Sequence, residues 1–111
     1  MTTTDINITQ LQGRLGEEPK IFETKDGGKI ARLRIATSET YATKDGEVKE
    51  VTQWHDAVTF NKLVVATIEE HLKKGSRVNI QGATRHRSYE KKDGSKGYNT
   101  EVVFELLHVL S

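Results

Sequence analysis

Alternation of apolar and polar residues predicts a protein built mainly from β-strands. In the segment 29–38, three aliphatic residues alternate with Arg32 and Arg34, so aliphatic and basic side chains would lie on opposite faces of one strand. The run Asp26-Gly27-Gly28 is typical of a turn, and it connects this strand to the short segment 21–25. Strand signals recur along the rest of the chain, in segments 5–15, 51–60, 77–89 and 98–110.

One segment has a helical period instead. From Lys62 to Lys74, apolar residues recur at a spacing close to 3.6 residues, which predicts an α-helix. Asn61 is a suitable N-cap, and Gly75 is a suitable helix stop. We therefore expect one domain over residues 1–111, in the order β-β-β-α-β-β, in which the short segment 21–25 is not counted as a strand of its own. This order is typical of a five-stranded Greek-key barrel, the OB-fold, with its helix between the third and fourth strands.

The alternation in segment 51–60 leaves its buried face undecided. Trp54 and Phe60 share one face with Val58, and His55 shares the other face with small, weakly polar residues. Either face could pack against the core, because the period is the same for both. The two aromatic residues are therefore equally compatible with a core position and with an exposed one.

The distribution of charge is more informative than its sum. The chain has a formal net charge of +1, but the segment 74–100 contains seven Lys or Arg residues against two acidic ones. This segment is therefore +5 and the rest of the chain is −4. Segregated positive charge is typical of a surface that binds a polyanion. A solvated, lysine-rich hairpin is the alternative interpretation.

Composition and spacing argue against several classes of protein. The chain contains no cysteine, and none of its four histidines has the i, i+4 partner of a helical zinc motif. His55 and Asp56 are neighbours in a strand, so they point to opposite faces and cannot form a catalytic dyad. We expect no enzyme, no cofactor and no metal site. The sequence shows neither a membrane-spanning apolar run nor a secretory signal. We expect a cytoplasmic protein, which the absence of cysteine fits.

Cations and aromatic residues occur together, as binding of nucleic acid without sequence preference requires. Cations contact phosphates and flat rings stack on bases, each stack contributing about 1–3 kcal/mol. Arg85, Arg87 and Tyr89 alternate and share one strand face, and Tyr41 lies in a long polar hairpin. A solvated basic face and ordinary hairpin packing are the alternatives for these positions.

An ordered series of short motifs resembles the bacterial-type single-stranded DNA-binding proteins. The resemblance covers about residues 6 to 105, and no single motif decides it. It implies an OB-fold that binds single-stranded DNA with little sequence preference and assembles as a homotetramer. The motifs are Gly13-Arg14-Leu15-Gly16, Ile35-Ala36-Thr37-Ser38, Thr52-Gln53-Trp54-His55, Phe60-Asn61-Lys62-Leu63, Leu72-Lys73-Lys74-Gly75-Ser76 and Tyr98-Asn99-Thr100-Glu101-Val102-Val103.

The resemblance also implies a set of site residues. It places His55 at a subunit interface, in agreement with its strand phase opposite to that of Trp54. Two of the four stacking positions are tyrosine here where well-known members of the family have tryptophan. The stacking positions match Tyr41, Trp54, Phe60 and Tyr89, and the phosphate-binding positions match Arg85, Arg87, Lys62 and Lys73, to which strand alternation adds Arg32 and Arg34.

Two departures from the family pattern accompany the resemblance. Asp56 stands where the family commonly has arginine, and a carboxylate on the face of Trp54 and Phe60 is expected to repel phosphate. The chain also stops at Ser111, without the acidic tip that recruits partners in the family, so tail-mediated partners are not expected. The expected role is protection of single-stranded DNA at the nucleoid during replication, recombination and repair. The alternative is a primosome-type OB-fold adaptor that acts mainly through protein contacts.

Overall fold

The computed structural model describes residues 4–111, and strands dominate it. A single α-helix accompanies six strands in this part of the chain. The elements are β1 (Thr9–Leu15), β2 (Lys20–Glu23), β3 (Lys29–Ala42), β4 (Val48–Thr59), α1 (Lys62–His71), β5 (Arg77–Glu90) and β6 (Lys96–Val109).

Five of the strands form a closed barrel, as the sequence predicted. The strands pair in the order β1-β5-β6-β4-β3, and β1 pairs with β3 to complete the ring. The short β2 pairs only with β3 in this sheet and lies outside the ring. In chain order α1 follows four strands and not the three that were predicted, because it lies between β4 and β5. Within the five-stranded ring, which leaves out β2, it lies between the third and the fourth strands. The difference is due to β2, which the bend over residues 16–19 separates from β1 as a strand of its own.

The ring consists of two antiparallel parts that meet at two short seams. β3 pairs with β4 along twelve residues of each strand, and β6 pairs with β5, which in turn pairs with β1. The first seam is parallel and pairs Ala57 and Val58 of β4 with two residues of β6. The second seam pairs Arg14 and Leu15 of β1 with two residues of β3. We call these pairings the β4–β6 seam and the β1–β3 seam.

The core fills the barrel from strands on all sides, and α1 covers part of it. Leu33 and Ile35 of β3 are buried, and Ala57 of β4 lies beside them. The helix adds Val65 and Ile68 to the same cluster. Aliphatic side chains of this kind contribute most of the stability of such a domain, because each removes apolar surface from water.

The helix begins as predicted and ends earlier. Asn61 is the N-cap, and its side-chain oxygen accepts hydrogen bonds from the N–H groups of Leu63 and Val64. The last helical residue is His71, so the predicted end at Lys74 is three residues too late. Within the helix, Val65 and Ile68 are buried, whereas Leu63 is largely exposed.

The hairpins extend well beyond the barrel. β3 and β4 continue as a ladder to a turn over residues 43–47, and β5 and β6 do the same to a turn over residues 91–95. We call these extensions the β3–β4 arm and the β5–β6 arm. Gly94 closes the second turn at φ 87°, a conformation that glycine adopts without a steric cost.

Two turns contain an aspartate that hydrogen bonds stabilise in its charged form. In the β2–β3 turn, the hydroxyl of Thr24 donates to Asp26 and lowers the pKa of this carboxyl, and the N–H of Gly28 assists. In the β5–β6 turn, Ser95 donates from both its hydroxyl and its N–H, and these bonds lower the pKa of Asp93. Both carboxylates therefore favour the folded turn when ionised.

Candidate nucleic-acid interface

One outer surface of the barrel brings most of the predicted site residues together. It is formed by side chains of β3, β4, β5 and β6 that point away from the core. We call it the arginine–aromatic face. Its members are Arg32, Arg34, Trp54, Asp56, Phe60, Arg85, Arg87 and Glu101, linked by the ion pairs and ring contacts described below.

The structure settles which side of β4 is buried. Ala57 and Thr59 are buried inside the fold, whereas Trp54 and Phe60 are each 51% exposed. Of the two faces that the sequence allowed, the small residues therefore face the core and the aromatic residues face outward. Val58 is nevertheless buried, because it lies in the middle of the outer face beside β6.

Trp54 lies between a glycine and an arginine. Its ring packs directly on Gly16, where a Cβ atom would overlap the indole, so this glycine leaves the space that the ring occupies. The guanidinium carbon of Arg34 lies 5.4 Å from the ring centroid, within cation–π range. These two contacts hold the ring in place, and about half of the residue is still exposed.

Asp56 does not stand alone on this face. Its Oδ1 lies 3.7 Å from Nη1 of Arg34, the residue directly opposite it in the β3–β4 ladder. The same Arg34 lies over Trp54, so one arginine contacts both the aromatic ring and the carboxylate. The predicted repulsion by Asp56 is therefore partly offset by a cation that the alternation pattern placed on the same face.

Phe60 is fixed at the junction of β4 and α1. The N–H of Asn61 donates to Oγ1 of buried Thr59, and the side chain of Asn61 caps the helix. Phe60 stands between these two anchored residues, and the guanidinium carbon of Arg85 lies 5.7 Å from its ring centroid. A second aromatic ring of the face is thus paired with a second arginine.

Three arginines converge on one buried carboxylate, that of Glu101 on β6. The nearest approach is 3.1 Å, from Nη2 of Arg85, the direct ladder partner of Glu101. Arg87 lies 3.3 Å from Oε2, and Arg32 of β3 lies 3.5 Å from the same oxygen. Glu101 is only 3% exposed, so its charge is balanced by these arginines rather than by water.

Glu101 was not among the site residues predicted from the sequence. The signal for Glu101 in the sequence was an acidic residue directly before the apolar run Val102-Val103-Phe104. An acid at the start of a buried segment is uncommon unless it is paired. The partner, however, follows only from the register that places Arg85 opposite it.

The other two aromatic residues lie on the arms rather than on the barrel. Tyr41 is half exposed near the end of β3, opposite Lys49. Tyr89 is half exposed on β5, and its ring packs over Gly97 of β6, where a Cβ atom would overlap it. The arms thus place one tyrosine each beyond the barrel, at a distance from the pair of rings on the arginine–aromatic face.

The two predicted lysines lie at opposite ends of the helix region. Lys62 is the first residue of α1 and lines a groove with Phe60 and the turn before β3. Lys73 follows the helix C-cap, in a loop whose Gly75 donates to the carbonyl oxygen of Leu15. Ten helical residues span about 15 Å, so the structure does not bring these lysines together.

His55 occupies the opposite phase to Trp54, as expected. It is half-buried, and its Nε2 lies 2.8 Å from the hydroxyl oxygen of Thr37. Residues 4–111 contain no group of three or more His, Cys, Asp or Glu side chains arranged to hold a metal ion. No helix in this same range has the length and apolar character needed to cross a bilayer.

Comparison with known proteins agrees with this geometry. The sequence model of the single-strand binding protein family matches residues 6–110. The chain belongs to this family. The predicted resemblance to bacterial-type single-stranded DNA-binding proteins is therefore confirmed. The single-stranded DNA-binding protein of Rhizobium meliloti (strain 1021) is 41% identical over 101 residues, which are 90% of this chain and 58% of that protein. The chain thus spans less than two thirds of the length of this family member.

Solved structures of family members share the fold. The structure described as the Plasmodium falciparum SSB complex with ssDNA superimposes with a TM-score of 0.91 at 30% identity and covers the whole of both chains. A deletion mutant of the single-stranded DNA binding protein from Thermus aquaticus superimposes with a TM-score of 0.80 at 24% identity, over 96% of this chain and 51% of that one. The second likeness supports the fold alone.

Proposed function

We propose that this chain binds single-stranded DNA without sequence preference, by stacking bases on exposed aromatic rings and contacting phosphates through arginine and lysine. The observation that supports this most is the pairing of two half-exposed rings with arginines on one face, Trp54 with Arg34 and Phe60 with Arg85. Stacking needs an exposed π-face, and every base has one, so such a surface binds strands of any sequence.

The charges on the same face suit a polyanion. Its four arginines outnumber its two carboxylates, which gives the face a net charge of +2 although the whole chain has only +1. A strand that contacts these arginines would release condensed counterions, which makes binding favourable and dependent on salt. Lys62 and Lys73 extend the positive surface around the helix.

The two arms extend the proposed path beyond the barrel. Tyr41 and Tyr89 lie near their outer ends, half exposed, where a strand that leaves the arginine–aromatic face could stack on them. The arms would close over the strand and shield it from nucleases and from re-annealing. The proposed role is therefore protection of unwound DNA during replication, recombination and repair, at the nucleoid in the cytoplasm, by binding without catalysis.

A homotetramer is part of the proposal. Several aliphatic side chains away from the arginine–aromatic face are well exposed in the single chain, and burial against other copies would remove them from water. His55, half-buried in the single chain, is proposed to lie at one of these subunit interfaces. The exposed aliphatic residues proposed for these interfaces are Ile6, Ile8, Leu106, Val109 and Leu110.

The test is a fluorescence titration of Trp54 with oligo-dT at low and high salt, with duplex DNA as the control. Trp54 is the only tryptophan, so any quenching originates on the arginine–aromatic face. We expect strong quenching by the single strand that persists at high salt, and little by the duplex. Weak quenching that disappears as salt rises would indicate contact through charge alone and would favour the adaptor function.

A pair of matched variants locates the stacking surface. Phe60→Ala removes a half-exposed ring from the arginine–aromatic face, and Phe22→Ala removes a ring of similar exposure from β2, outside the barrel. We expect Phe60→Ala to weaken oligo-dT binding by about 1–3 kcal/mol and Phe22→Ala to leave it unchanged. Equal effects of the two variants would contradict the proposed surface.

A further inference from the structure

The three arginines around Glu101 come from two different strands. Arg85 and Arg87 lie on β5, beside Glu101 on β6, whereas Arg32 lies on β3 and reaches it from across β4. The arginine side chains are about half exposed, while the carboxylate beneath them is almost fully buried. The three guanidinium groups therefore lie at the surface, and the carboxylate of Glu101 lies beneath them.

Such a grouping needs the carboxylate. Three guanidinium groups repel one another at close range, and a single buried anion that contacts all three offsets this repulsion. Each guanidinium has five N–H donors, and the contacts with Glu101 use one nitrogen of each. Donors remain on every arginine, and the group as a whole has a charge of +2.

We propose that Glu101 is a positioning residue, which holds Arg32, Arg85 and Arg87 together as one binding site for a backbone phosphate of the DNA strand. This assignment rests on the proposed function and adds to it a specific phosphate site. Guanidinium groups bind phosphate oxygens with strong, directional hydrogen bonds. Arg85 also lies over Phe60, so a phosphate held here would place its neighbouring base within reach of that ring.

The decisive experiment compares two variants that change the net charge equally. Glu101→Gln removes the carboxylate under the arginines, and Glu90→Gln removes one that is exposed at the end of the same β5–β6 arm. Binding of labelled oligo-dT is measured by fluorescence anisotropy across a range of salt concentrations. If only total charge mattered, both variants would bind slightly more tightly than the wild type.

We expect the two variants to differ. Glu101→Gln binds about tenfold more weakly than Glu90→Gln, and the slope of log K against log salt becomes shallower by about one, as for the loss of one phosphate contact. Equal or tighter binding by Glu101→Gln, with an unchanged slope, would overturn the assignment. It would mean that the carboxylate only reduces the charge of the arginines.

Glu101→Asp separates position from charge. It keeps the net charge but retracts the carboxylate by one methylene, so we expect an affinity and a salt slope between those of the wild type and Glu101→Gln. Thermal unfolding shows whether each variant is folded. If Glu101→Gln does not fold, the test rests on Glu101→Asp alone. Wild-type affinity and a wild-type salt slope in Glu101→Asp would then overturn the assignment. Failure of the wild type and Glu90→Gln to bind oligo-dT would overturn the proposed function as well.

Discussion

Replacing Asp56 with asparagine removes a carboxylate from the arginine–aromatic face and nearly preserves its shape. Asp56 is paired with Arg34 at 3.7 Å, and the two side chains are 60% and 46% exposed. Exposed ion pairs contribute about 0–1 kcal/mol to stability, because water screens them and ordering two side chains costs entropy. We therefore expect Asp56→Asn to change the free energy of unfolding by less than about 1 kcal/mol.

The same substitution is expected to strengthen DNA binding. A phosphate that contacts the far side of the Arg34 guanidinium would lie about 7 Å from Asp56, where repulsion in water is about 0.6 kcal/mol and rises to about 2 kcal/mol at an effective dielectric constant of about 20. Salt of about 0.1 M screens much of it, with a Debye length of about 10 Å. At low salt, we expect about a threefold gain in affinity from Asp56→Asn, which declines as salt rises.

Fluorescence anisotropy with labelled oligo-dT measures this gain without depending on Trp54, whose surroundings the substitution changes. Glu23→Gln on β2 is the matched control, since it removes one negative charge at an exposed position outside the barrel. An equal gain in both variants would refute the reasoning, because it would trace the effect to total charge and not to the position of Asp56. Asp56→Arg should extend the gain and steepen the salt dependence.

Three further predictions address the arms, the turns and the barrel. Trp54→Ala and Tyr89→Ala should each weaken binding of oligo-dT in a titration by about 1–3 kcal/mol, and unchanged affinity in both would contradict stacking. Gly82→Ala should destabilise the fold by about 1–3 kcal/mol in denaturant unfolding, since its Cβ would overlap the backbone of β6; an unchanged midpoint would show that the strands relax at no cost. Folding lowers the pKa values of Asp26 and Asp93. The stability that these two ionised carboxylates contribute is therefore present above about pH 4 and is lost as pH falls through their pKa values in the folded protein. The midpoint of thermal unfolding of the double variant Asp26→Asn, Asp93→Asn should therefore fall less between pH 5 and pH 2 than that of the wild type.

The strand and helix periods were sufficient to predict the barrel, because each period follows from local geometry. The alternation around Arg32 and Arg34 and the cap at Asn61 both correspond to observed elements. In chain order the helix follows one more strand than was predicted, for a reason that is not local. The four residues of β2 form a strand only because β3 offers them an edge to pair with.

The candidate site required information that periodicity does not contain. The outward position of Trp54 depends on the space above Gly16, and the inward position of Ala57 depends on packing in the barrel. Both are contacts between distant parts of the chain. Similarly, the sequence placed Asp56 on the face of Trp54, but its ion pair with Arg34 follows from the register of β3 and β4.

The two short seams of the barrel have a consequence for how the chain folds. In the β3–β4 and β5–β6 hairpins, only a turn separates the two strands in sequence. Each hairpin can therefore form outward from its own turn within microseconds. The seams have no adjacent turn to start from: Arg14 pairs with Ala36, 22 residues away, and Ala57 pairs with Val102, 45 residues away, and each seam has only two pairs. Loop-closure entropy must be overcome before these few pairs stabilise anything, so closing the ring is expected to limit the folding rate. Substitutions at Ala57 or Leu15 should then slow refolding, whereas changes at the arm tips should mainly accelerate unfolding.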